Sequence, residues 1–162
     1  MKRATTSVSL YRLIYRSREA IAEIVPDAAT EPGLRRELRA IVAAARRRNE
    51  SDNVTGALWF SEAGFAQVLE GPRDVVERTF ERIAADRRHA DVTVLTLTPA
   101  QQRSFPDWPM AFYGRTPLIA ADPPGVAADS GVLSGQRVTT GSEVLRLLER
   151  AVLLQQDAWI GA

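Results

Sequence analysis

The stretch Val54-Thr55-Gly56-Ala57-Leu58-Trp59-Phe60-Ser61-Glu62-Ala63-Gly64-Phe65-Ala66-Gln67-Val68-Leu69-Glu70-Gly71-Pro72 decides the fold of this chain. Two short runs of strand composition, 54–60 and 65–70, flank Ser61-Glu62-Ala63-Gly64, a hairpin connection with glycine where a positive φ is expected. Gly71-Pro72 ends the second run. Pro72 then opens an amphipathic helix whose apolar stripe is Val76, Phe80 and Ile83, with Val75 and Thr79 beside it.

Upstream, Ser7 to Tyr15 alternates with the period of a strand, placing Tyr11, Leu13 and Tyr15 on one side and Leu10, Arg12 and Ile14 on the other. Residues 16–30 read as irregular, with a helical turn near Ala20 to Ile24. From Pro32 onward Leu34, Leu38, Ile41, Val42 and Ala45 recur at helical spacing, and that helix is expected to stop around Asn49 to Asn53. Downstream, Val92, Val94, Leu95 and Leu97 make a fourth strand, and the end of the aromatic segment Phe105 to Tyr113 adds a short fifth. The order β-α-β-β-α-β(β) predicts a ferredoxin-like α+β sandwich, with the first and third strands adjacent at the sheet centre and both helices on one face. Residues 115–141, rich in proline and glycine, read as a linker. Ser142 is expected to cap a final helix over 142–162, whose Val144, Leu145, Leu147, Leu148, Ala151, Val152 and Leu154 are too apolar to stay in water. It should pack on the uncovered sheet face, on another subunit, or on both.

The ionisable inventory narrows the chemistry. The 162 residues are 45 % apolar, enough for one globular domain, and carry 21 basic against 20 acidic groups for a net charge of +1. There is no cysteine, one histidine (His89) and one lysine (Lys2). Disulfides, zinc knuckles, thiolate nucleophiles and His-rich metal sites are thereby excluded, and any reactive group is expected to be borrowed. No secretory leader is visible in the opening residues and no membrane span anywhere, so the expected location is cytoplasmic. Arg35, Arg36, Arg39, Arg46, Arg47 and Arg48 crowd the first long helix. In an arginine-biased chain this reads as a solvated face rather than a nucleic-acid patch.

One group of polar residues stands out. Gln67 lies in mid-strand on the face shared by Phe65 and Leu69, where a primary amide is costly unless its hydrogen bonds are met. Tyr15 on the neighbouring strand can reach the same face, and Asn49 brings a second amide from the end of the first long helix. Singly, each has a plain structural reading: Tyr15 as a core-edge tyrosine, Asn49 as a left-handed helix terminator, Gln67 as an edge-strand surface residue. Together they make a polar slot without acid, base or metal. His89, between the second helix and the fourth strand, reads as a structural turn histidine, and Trp159 as a packing or interface anchor.

Tyr15-Arg16-Ser17, Asn49 with Val54-Thr55-Gly56-Ala57-Leu58, Phe65 to Pro72, Arg88-His89 and Arg103-Ser104-Phe105-Pro106-Asp107-Trp108-Pro109-Met110 together resemble the BLUF domain, the blue-light sensor using flavin, over residues 8–114. The resemblance implies noncovalent FAD between the two helices. It implies Tyr15 as electron and proton donor, Gln67 as the amide linking that tyrosine to the flavin, and Asn49 as a partner of the ring's pyrimidine side. Arg82 and Asp86 match positions that help hold flavin. Trp108 and Met110 match the pair near the chromophore where the signal leaves. Three departures are visible: a longer stretch between Tyr15 and Asn49, Ala45 where some members have serine, and Arg48 at a variable position.

The expectation is a short stand-alone photoreceptor, with a flavin-binding domain over 1–114, the linker, the helical extension and no enzymatic effector. It should signal to a downstream protein and self-associate through its apolar sheet face or final helix. The alternatives are a ferredoxin-like ligand-binding or protein-interaction regulator without flavin, and a dark electron-transfer flavoprotein.

Overall fold

The structure, a computed structural model, describes residues 8–61, 64–114 and 140–160. Strand β1 (Leu10–Glu19) is followed by a single-turn helix α1 (Ile21–Ile24), a 3₁₀ turn (Pro26–Ala29) and the long helix α2 (Glu31–Asp52). The hairpin β2 (Thr55–Ser61) and β3 (Gly64–Pro72) comes next, then helix α3 (Arg73–Ala84), β4 (His89–Pro99), the short β5 (Ala111–Tyr113) and helix α4 (Gly141–Ile160). The five strands lie in the order β4-β1-β3-β2-β5. β1 pairs antiparallel with β3 and β4, and β5 joins β2 in parallel. This is the ferredoxin-like α+β arrangement expected from the order of elements.

Local chemistry explains the boundaries. Thr30 caps α2 by accepting from Gly33 N at 3.2 Å, with proline in the first turn. At the other end Asn53, at φ 57°, adopts the left-handed conformation that asparagine tolerates. The left-handed terminator of α2 is therefore Asn53, and Asn49 lies one turn inside the helix, buried. In the hairpin Gly64 has φ 121°, and a Cβ there would sit 2.1 Å from the carbonyl oxygen of Ser17.

β1 starts later and runs further than the alternation alone indicates. Its last residues, Arg16 to Glu19, carry no apolar period, yet they pair with Ala66 and Phe65 of β3 and with β4 as far as His89. Backbone pairing, which leaves no mark on side-chain pattern, extends both strands, and β4 correspondingly begins before Val92.

The pleat divides the core. On one face Leu13, Tyr15, Leu58, Phe65 and Leu69 pack against Leu38 and Val42 of α2 and Val76 of α3. On the other, Ile14, Ala57, Trp59, Ala66 and Val68 meet Val144, Leu148, Ala151 and Val152 of α4. Leu148 is 2 % exposed, a burial worth about 2 kcal/mol. The sheet face anticipated as a self-association surface is thus covered by the chain's own last helix. The expected linker lies outside the described residues apart from its last two positions, 140 and 141, as does the side chain of Trp159.

Candidate functional site

A cleft opens between α2 and α3 above β1 and β3, with about 600 Å³ of empty space including the solvent at its mouth. Its apolar walls are Ile41, Ala44 and Ala45 from α2, Leu58 from β2 and Ile83 from α3. The two alanines, being small, leave the gap between the helices unfilled. Tyr15, Asn49, Gln67, Arg48, Arg82, Asp86, Arg88 and His89 supply the polar lining.

Antiparallel pairing puts Tyr15 directly opposite Gln67, with Leu58 on the amide's other side. The phenol donates to Gln67 Oε1. Gln67 Nε2 in turn donates to Met110 Sδ at 3.3 Å. All three are buried, and Gln67 stands on the central strand rather than at an edge. Burial, followed by the charge of Asp86, pushes the Tyr15 phenol far up, so it stays a protonated donor. Its ring leans on Phe80 with centroids 5.5 Å apart.

Met110 and Pro109 are held from α2. Asn49 Nδ2 donates to Pro109 O at 2.7 Å and Arg46 Nε to Met110 O at 2.9 Å. Arg46, read from the sequence as part of a solvated arginine face, instead turns inward, because it shares the helix face of Val42 and Asn49 at four- and three-residue spacing. Arg82 reaches the cleft from α3 and lies 3.9 Å from Asp52. Asp86 is gripped by Arg88, whose Nε and Nη2 donate to its two oxygens at 3.0 and 2.6 Å. Burial alone would raise that carboxyl, but hydrogen bonds from the Arg88 side chain and backbone leave it below its ordinary value. Arg88 also lies 3.8 Å from Glu37, closing one end of the cleft between α2 and β4.

The structure does not bring Trp108 to this site. Its side chain joins the apolar layer under α4, on the opposite sheet face from Gln67, with Nε1 buried and without a hydrogen-bond partner. Met110, two residues on, takes the place beside the amide. His89 was read as a turn residue, but it opens β4 and lines the cleft. Its Nδ1 lies 2.8 Å from Ser17 Oγ and its ring packs on Phe65 at 4.5 Å and edge-on to Tyr15 at 6.3 Å. The register of β4, invisible in the sequence, put it there.

Fold and site together define a small α+β module with an open, partly apolar cleft between two helices, edged by a phenol and two amides. The family model for sensors of blue-light using FAD, BLUF, matches residues 10–111, and the chain belongs to that family. It is 39 % identical over 97 residues to the photoactivated adenylate cyclase subunit beta of Euglena gracilis. That match takes in 59 % of this chain and 11 % of the cyclase subunit, so the chain spans about a tenth of that relative's length. Among solved structures it is similar to the dark state of BlrB, a BLUF protein (33 % identity, TM-score 0.64, 89 % of this chain and 95 % of that one). It is also similar to the ground state of BlsA (26 % identity, TM-score 0.65, 86 % and 87 %). Members of the family are flavin-binding blue-light sensors.

Proposed function

We propose that this chain is a blue-light photoreceptor that holds FAD noncovalently in the α2–α3 cleft. The observation that carries the reading is the buried row Tyr15–Gln67–Met110, in which one amide joins a phenol to a weak sulfur acceptor beside an apolar, ring-sized space. The cleft residues fit a flavin: Ile41, Leu58 and Ile83 offer flat apolar contact, while Asn49, Gln67 and Arg82 offer donors to a ring edge rich in carbonyls and nitrogens. When bound and excited, a flavin supplies an oxidant able to take an electron from a phenol.

The residues do the rest. With flavin held there, Tyr15 would lend it an electron and pass its hydroxyl proton toward Gln67 Oε1, both returning to the phenol when the charge pair recombines. Gln67 then rotates or tautomerises, reversing which end of the amide donates. Thioether sulfur is a poor acceptor, so little holds Nε2 in its starting position. The polarity reversal changes the hydrogen bond offered to the ligand and gives a red-shifted signalling state.

Residues 102–110 provide the way out. They leave Met110 at the cleft, cross to the other sheet face, and there Ser104 Oγ donates to Glu149 of α4 at 2.6 Å. Output then passes through α4 to another protein or another copy. With the sheet face covered, the outer side of α4, where Leu153 is 60 % exposed, is the surface that supports self-association. The chain itself acts as a sensor and not as an enzyme.

The purified protein should be yellow and release FAD on denaturation. Blue light should shift its flavin band reversibly by a small amount to the red. Tyr15→Phe and Gln67→Leu should bind flavin and lose that shift; a full photocycle in either variant overturns the mechanism, and a colourless protein after reconstitution with FAD overturns the reading.

A further inference from the structure

His89 occupies the rear of the cleft, where the mechanism above gives it no task. It is joined to Ser17, two residues beyond Tyr15 on the same strand face, with Oγ and Nδ1 2.8 Å apart. Its ring fills the angle between Phe65 and Tyr15, 4.5 and 6.3 Å away by centroids. Ser17 is buried, so the link is shielded from water. We propose that, with flavin in the cleft, His89 is a positioning residue for the photochemistry of Tyr15: an uncharged ring, anchored by Ser17, that holds the phenol against Gln67 and keeps positive charge from behind it.

Two lines of physics support the assignment. Phe80 and His89 are the rings in contact with Tyr15, and His89 is the one fixed by a hydrogen bond. The groups that face His89 are Tyr15 and Ser17 of β1, Phe65 of β3, and Asp86 and Arg88 of the turn after α3, with Glu37 of α2 behind Arg88. The carboxylate of Asp86 is already neutralised by Arg88, so a charged imidazole would gain little from it. Burial outweighs that carboxylate and pulls the imidazole down to about 4, so the ring is neutral across the working range. A phenol losing an electron becomes more positive. A cation at this distance opposes that loss by an amount that corresponds to about tenfold or more in rate at protein-like screening.

The test compares His89→Gln, His89→Leu, His89→Lys and Ser17→Ala by the yield of red-shifted state per absorbed photon from about pH 5.5 to 10. The wild-type yield should show no titration step near the ordinary histidine value. H89Q, which can still meet Ser17, should retain several times the yield of H89L, and S17A should resemble H89L. H89K should fall about tenfold or more near neutrality and recover as pH rises and the ammonium loses its proton, a signature that a packing defect would not produce. Flavin absorption in the dark reports that each variant is folded and loaded. A yield in H89K equal to wild type, a deficit that ignores pH, or equal yields in H89Q and H89L would overturn the assignment. A wild type that binds flavin without any red shift would instead remove the photosensor reading itself.

Discussion

Gln67 is satisfied at both ends by partners of unequal quality, a phenol on the carbonyl and a thioether on the amine. The phenol contact is a buried hydrogen bond between good partners, while the thioether is only a weak acceptor. Replacing Met110 by leucine should leave Tyr15 in place but free Nε2 entirely. The expected result is a changed lifetime of the light state with an undiminished red shift, read by flash absorption; loss of the shift would show that the sulfur does more than hold the amide. His89 adds a pH term at the same scale. Its folded value, about 4, lies below the ordinary 6.5, so the unfolded chain binds the extra proton between these limits. Stability is therefore complete above about pH 6.5 and falls as pH drops toward 4, by on the order of 3 kcal/mol from this group alone. Urea denaturation at pH 7 and pH 4.5 should show the decline, and it should shrink in His89→Gln.

At the scale of elements, β2 and β3 were legible because α2 and α3 cover one face of the sheet and α4 the other, so these two strands read as short, nearly continuous runs of strand composition bounded by turn residues. The hairpin was legible for a different reason, because Gly64 meets a backbone demand that few residues can. What remained hidden was whatever depends on pairing register. Tyr15 opposite Gln67 was inferred from topology and found in the register, whereas His89 behind Tyr15 and Met110 in preference to Trp108 beside Gln67 follow from strand offsets and loop paths that carry no local pattern. The 102–110 segment has a further role here. Ser104 Oγ, besides donating to Glu149, accepts from Arg12 Nη2 at 2.9 Å, so α4 is tied to the same cluster that fixes the segment's start. Glu149→Ala should leave the red shift and recovery rate intact while abolishing any light-dependent change in hydrogen exchange along α4. An α4 that still responds in that variant would place the output route elsewhere.

Across the whole molecule, the central strands are tied to the 102–110 segment through a buried charge on the α4 side of the sheet. Glu70, fully buried, accepts from Arg12 Nε and Nη2 at 3.0 and 2.8 Å and from the backbone amides of Ser104 and Phe105 at 2.9 and 3.0 Å. Removing the cation would strand a carboxylate in the core, which costs about 3–5 kcal/mol. Arg12→Met should lower the unfolding free energy by that order, measured by urea titration, while Arg12→Met with Glu70→Leu should recover part of it. Equal stability of Arg12→Met and wild type would mean that the two amide donors suffice alone.

The passage of residues 102–110 from one side of the sheet to the other has an architectural consequence. Cleft and α4 stand back to back, separated by the thickness of a sheet, and among the described residues a polar link between them runs through this stretch of chain, with Met110 at one end and Ser104 near the other. On the proposed output route such a sensor is modular: whatever sits on the α4 side would be exchangeable for another helix, another subunit or a larger effector without redesign of the photochemistry, provided that the newcomer offers Ser104 an acceptor.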